Sequence, residues 1–200
     1  MHLMSITSAF AAVGHDVQLI GVAGHEVPPA MFSSALAETR LLAHPGRSEG
    51  IQRELNKLSF IDHVVEHCAV AVQRFDPHVV YERLSLFGSA GRQLVETLPG
   101  TRHVLEVNAL LAEEDAAWRG LHFAELAATV ERQVLTDADL AVAVSAEVAR
   151  KIHAAAPSAR STIVENGAEV ERFRFLPTRA AARRRLGLPA DATIAAFVGA

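Results

Sequence analysis

Short, nearly unbroken apolar runs alternate with longer amphipathic stretches along this chain, and few architectures accept that pattern. Val17–Val22, His78–Glu82, Arg102–Val107, Leu140–Val144, Thr162–Glu165 and Thr193–Val198 read as strands. Leu3–Val13, Arg53–Arg74, Gly91–Leu98, Leu121–Thr136, Ala146–Ala155 and Ala180–Leu186 read as helices. The strands are apolar on successive residues, as expected where both faces of a sheet are buried. Strand alternating with helix then predicts an α/β fold, a parallel sheet with helices on both faces.

Local signals set the boundaries. Gly14-His15-Asp16 is a turn ahead of the first strand. Within Arg53–Arg74, Leu58, Ile61, Val65, Cys68 and Val72 share one helix face, and Asp76-Pro77 ends the helix. Residues 28–50 are rich in Pro, Gly and Ser and read mainly as loop, with a short helix near Met31–Leu42. A doubly wound sheet opens on a strand, yet this chain opens on a helix and closes on a strand with nothing to cover it. The expectation is a fragment lacking its first strand and carrying the start of a second domain; the alternative is a complete domain with a frayed end.

At 200 residues the chain has room for one domain and a piece of another. The single cysteine, Cys68, excludes a disulfide framework and any multi-cysteine zinc site. A net charge of −4 and 6% aromatic residues argue against a nucleic-acid partner, which needs a basic face or stacking platforms. The N-terminus lacks a cationic stretch before an apolar one, and no apolar run is long enough to span a bilayer, so the expected compartment is the cytoplasm, with attachment to the inner face of the membrane left open.

Among short motifs, His63-Val-Val-Glu66-His67 matches a zinc-protease pattern, in which two histidines one helical turn apart hold the metal. The competing reading is a solvated polar face opposite Ile61, Val65 and Cys68, with no third ligand, and no metal is expected. His15, His25 and His44 fall in loops or turns, and any of them could line a cleft. Phe87-Gly-Ser-Ala-Gly91 is not a nucleophile elbow, and the phosphate-binding glycine fingerprints are missing. More informative are polar groups at the carboxyl ends of strands, where open α/β sheets bind ligands. Tyr81-Glu82-Arg83, Glu106-Val107-Asn108 and Glu165-Asn166-Gly167 stand at such ends. Each also has a structural reading: Glu82 paired with Arg83, Glu106 bonded to a neighbouring loop, and Asn166-Gly167 forming a tight turn with left-handed backbone at Gly167. Arg179-Ala-Ala-Ala-Arg-Arg-Arg185 could attract phosphate or anionic lipid, or be the solvated face of a connector helix.

Several stretches resemble the retaining GT-B glycosyltransferases of family four. They are Ala138-Asp-Leu-Ala-Val-Ala-Val-Ser145, Thr162-Ile-Val-Glu-Asn-Gly-Ala-Glu169 with Phe173, Arg184-Arg-Leu-Gly-Leu-Pro189 and Ile194-Ala-Ala-Phe-Val-Gly199. Tyr81–Phe87, Leu105-Glu-Val-Asn108, Glu113-Glu114 and the Ala11–Ile20 turn are similar to the same enzymes. The resemblance implies a Rossmann-like acceptor-binding domain over residues 1–176, an interdomain connector over 177–192, and the first strand of a truncated donor-binding domain over 193–200. It implies transfer of a sugar from a nucleotide-sugar donor to a sugar or lipid-linked acceptor, with anomeric retention and no metal or other cofactor, and a chain inactive without its C-terminal domain. Many members place a histidine after a middle strand, whereas the matching strand ends here carry Glu82, Arg83, Glu106 and Asn108. Those four residues are the acceptor-cleft candidates, and Asn166 and Gly167 the donor-side candidates; the catalytic residue is not assigned. The other functional class is a stand-alone module binding a small polar ligand or a protein without catalysis.

Overall fold

The computed structural model describes residues 2–22, 32–36, 46–168 and 170–197, in two compact units, Met1–Glu165 and Asn166–Ala200. In the first unit α1 (His2–Ala12) turns at Gly14, φ 92°, into β1 (Leu19–Val22). The left-handed φ costs glycine nothing, and the Gly14 and His15 N–H groups donate to the carbonyls of Ala11 and Phe10, closing the helix. β2 (Phe32–Leu36) pairs with β1 in parallel. Then come α2 (Glu49–Phe75), β3 (Val79–Arg83), α3 (Ala90–Glu96), β4 (Arg102–Val107), α4 (Leu111–Trp118), α5 (Ala124–Asp137), β5 (Leu140–Ala143), α6 (Ala146–Ala155) and β6 (Ser161–Ile163). β3, β4, β5 and β6 lie side by side in that order, all parallel, as the alternating pattern requires.

The main core lies on one face of this sheet. Leu105 and Val107 of β4 and Ala141 and Ala143 of β5 pack against Val134 and Leu135 of α5 and Ile152 of α6. Val64, Cys68 and Val72 of α2 meet Leu94 of α3 and Leu98 beyond it, while Ile61 joins Leu86, Phe87 and Ala127. Val64, not Val65, is thus the inward residue of its turn. On the opposite face, Phe10 of α1 sets its ring edge-on to Tyr81 at 5.7 Å. The expected α/β, Rossmann-like class with helices on both faces is the observed one.

The helix expected near Met31–Leu42 is instead a strand at Phe32–Leu36, and its remaining residues lie outside the described ones, as do His25 and His44. Paired serines are weak helix formers, and β1 offers a ladder for their backbone groups. The strand expected at Thr193–Val198 is not formed over Thr193–Phe197, where no described neighbour supplies a ladder; Val198 lies outside the described residues. Helix α2 starts earlier than its apolar periodicity suggests, at a Ser48 cap whose Oγ accepts the Ile51 N–H at 3.4 Å. It ends as expected, at Asp76, whose left-handed φ of 51° precedes Pro77. Helix α4 has no local capping signal because its cap comes from afar: Glu131 Oε2 accepts the N–H groups of Leu111 at 2.7 Å and Ala112 at 3.1 Å.

The second unit holds a short 3-10 turn, Val170–Phe173, and α7 (Arg179–Leu186). Thr178 caps α7 and Gly187 closes it at φ 65°. Arg183 turns inward, donating to the carbonyls of Pro189, Ala190 and Ala192, while Arg184 and Arg185 stay exposed. The basic run is therefore divided between a structural arginine and solvated ones.

Candidate functional site

Strand alternation decides which polar residues meet at the carboxyl ends of β3 and β4. Tyr81 pairs with Val104, Glu82 with Leu105 and Arg83 with Glu106. Side chains alternate across a strand, so Tyr81, Arg83 and Glu106 share one face and Glu82 the other. Glu106 is the centre of the first group and is almost wholly buried. Its Oε2 accepts the Tyr81 hydroxyl at 2.8 Å, its Oε1 accepts Asn108 Nδ2 at 2.6 Å, and Arg83 Nε stands 3.9 Å from Oε1. Burial, and then the hydrogen bond to and charge of Glu106, push the Tyr81 phenol well above its ordinary range, so it remains a donor at neutral pH.

Three of the four cleft candidates, Arg83, Glu106 and Asn108, are thus brought together, and Tyr81 joins them. The Arg83 side chain is 44% exposed, so it can still reach an anionic or hydroxylated ligand in solvent. Chemically, the cluster offers a fixed carboxylate, an amide and a cation at one strand-end edge.

Glu82 stands apart. Its Oε1 accepts the Gly91 N–H at 3.1 Å, and its Oε2 meets His103 Nε2 at 2.9 Å, on the face covered by α3. A Cβ at position 91 would lie 2.5 Å from Glu82 Oε2, so only glycine lets this carboxylate sit against the helix. His103, buried on β4, carries no local sequence signal of this role, because its partner is 21 positions away. Asn166 and Gly167 belong to the second unit. Gly167 does not take the left-handed conformation expected of a tight turn, and the position its Cβ would occupy is open.

His63 and His67 stack on α2 with centroids 3.9 Å apart, and His67 Nδ1–H donates to the His63 carbonyl at 3.0 Å. Glu66 and His67 are exposed and His63 half-buried, the arrangement of a polar helix face. Among the described residues no group of three or more His, Cys, Asp or Glu side chains could hold a metal, and no helix is long and apolar enough to cross a membrane.

A family profile described as a glycosyl transferase 4-like domain matches residues 1–167. The chain belongs to this glycosyl transferase 4-like family. Curated relatives of this glycosyl transferase 4-like chain include the D-inositol 3-phosphate glycosyltransferase of Streptomyces scabiei (strain 87.22), 41% identical over 96 residues, which are 46% of this chain and 20% of that protein. That of Thermobispora bispora is 48% identical over 73 residues, 34% of this chain and 16% of the relative. That of Saccharomonospora viridis is 46% identical over 72 residues, again 34% and 16%. The aligned segments span a fifth or less of these relatives' length.

Proposed function

We propose that this glycosyl transferase 4-like chain is the acceptor-side part of a glycosyltransferase that moves a sugar from a nucleotide-sugar donor to an acceptor hydroxyl with retention at the anomeric carbon. The observation that carries the reading is the buried Glu106 carboxylate, oriented by Tyr81 and Asn108 beside the accessible Arg83, at the strand-end edge where open α/β sheets take ligands. A buried carboxylate whose rotamer is locked holds Asn108 and Arg83 in place to meet an acceptor without reorganising, which is the contribution expected of a positioning group. Arg83 can take an anionic substituent on that acceptor, and the name of the relatives makes D-inositol 3-phosphate the first acceptor to try. The donor half, with Asn166 and Gly167 on its side, would come from a following domain, and the reaction is expected to run in the cytoplasm without a metal.

The test joins this chain to the donor-side domain of the Streptomyces scabiei relative and offers a panel of nucleotide sugars with D-inositol 3-phosphate. Transfer with a retained anomeric configuration, lost in Glu106→Gln and weakened in Arg83→Ala, is the expected result. Transfer that both variants leave unchanged would remove the cluster from the acceptor site. An inverted product would refute retention.

A further inference from the structure

Local sequence shows no nucleophile elbow, yet the fold assembles a Ser–His–carboxylate line from residues far apart in the chain. Glu54 of α2 is fully buried. Its Oε1 accepts the backbone N–H of His122 at 2.9 Å and lies 3.0 Å from His122 Nδ1, and its Oε2 accepts the Phe123 N–H at 2.9 Å. This holds the imidazole with Nδ1–H toward the carboxylate and Nε2 free to accept. Ser48 Oγ lies 3.5 Å from that Nε2. The cap bond does not compete: Ser48 Oγ accepts the Ile51 N–H while its own O–H remains to donate. Gly50 makes room for the ring, since a Cβ there would stand 2.4 Å from His122 Cε1. By helix geometry the N–H groups of Glu49 and Gly50, in the first turn of α2, have no partner within the helix and are available to a developing oxyanion beside Ser48.

We propose that Ser48, His122 and Glu54 form a nucleophilic triad that takes acyl groups from small unhindered esters. Base, orienting carboxylate and nucleophile stand in the order this chemistry needs. Oγ bonds to the ester carbonyl carbon as His122 Nε2 takes the serine proton. The ester C–O bond breaks, and the alcohol leaves with that proton. Water, activated by the same Nε2, then splits the acyl–Ser48 ester, releasing the carboxylic acid and restoring the hydroxyl. Ser48 is exposed and the His122 side chain is 42% exposed, so the substrate is limited to esters that need no deep pocket. The only thiol, on Cys68, is fully buried and does not compete for such reagents.

The fold contains its own control. Ser145 caps α6 in the same way, its Oγ accepting the Val148 N–H at 3.2 Å, with no bonded histidine among the described residues. The chain is treated with a fluorophosphonate, whose fluoride leaves as Oγ bonds to phosphorus, and separately with p-nitrophenyl acetate, and the modified residue is located by peptide mass spectrometry. Modification of Ser48 at least about 100-fold faster than Ser145, the low end of what a positioned base supplies, is expected. In His122→Gln, checked for an unchanged circular-dichroism spectrum, the Ser48 rate falls to that of Ser145. Equal rates at the two serines in the unaltered chain, which needs no variant, overturn the proposal, as does a Ser48 rate unmoved by His122→Gln.

Discussion

Glu54→Gln isolates what a buried carboxylate contributes to joining α2 to the start of α5. The substitution keeps the side-chain volume, so no cavity opens, and it removes the charge and one acceptor. The wild-type carboxylate receives the His122 N–H, the Phe123 N–H and the His122 imidazole at 2.9, 2.9 and 3.0 Å. Glutamine can accept on one side only; its amide donor then faces a backbone N–H that has no other acceptor. Loss of charge assistance and one orphaned buried donor together cost about 2–4 kcal/mol. With a urea slope near 2 kcal/mol per molar, the unfolding midpoint should fall by about 1–2 M. The pH dependence has a defined sign. Burial by itself would raise this carboxyl, but the His122 and Phe123 N–H groups and then the imidazole overcome that and hold it below the ordinary range. A lowered folded pKa stabilises above the unfolded value, about 4.3 for glutamate, and that stability is lost as the pH falls through the folded value. The gap between wild type and Glu54→Gln, measured by urea melts from pH 7 downward, should therefore narrow below about pH 4. A midpoint shift under about 0.5 M at neutral pH, or a gap that does not close in acid, would refute this account of the carboxylate.

Three further outcomes are expected. Gly91→Ala, which forces a methyl to within 2.5 Å of Glu82 Oε2, should cost about 1–3 kcal/mol in thermal or urea unfolding, and Glu82→Ala should recover part of the loss. Asp139→Asn should cost about 1–2 kcal/mol, chiefly through the His103 N–H at 2.9 Å, because the Arg102 partner is largely solvated. Asp139 is held below the usual range first by that N–H and then by Arg102, so its contribution is present at neutral pH and disappears as the pH falls through its lowered folded value, read by acid titration of the unfolding midpoint. Arg183→Ala removes the donor to the Pro189, Ala190 and Ala192 carbonyls and should raise hydrogen exchange at the end of α7 while leaving the protection of β4 and β5 unchanged.

Much of the architecture is visible in the residues themselves. Apolar patterning locates α2, α5, α6 and five of the six described strands to within a few positions, β2 being the one it misses, because the spacing of apolar residues within an element is set locally. The Gly14 turn and the Asp76-Pro77 stop are backbone effects that one or two residues set. The strand ends around Tyr81 and Glu106 are likewise legible as places where polar groups interrupt apolar runs. What a linear reading misses is partnership. Glu82 and Arg83 are neighbours in the chain, yet the register with β4 sends one to His103 and the other toward Glu106. The cap of α4 comes from Glu131, and the Ser48–His122–Glu54 line spans 74 positions. Short-range periodicity reports which way a side chain faces within its own element. Which groups it then meets depends on how separate elements pack, and that packing leaves no regular spacing in the sequence.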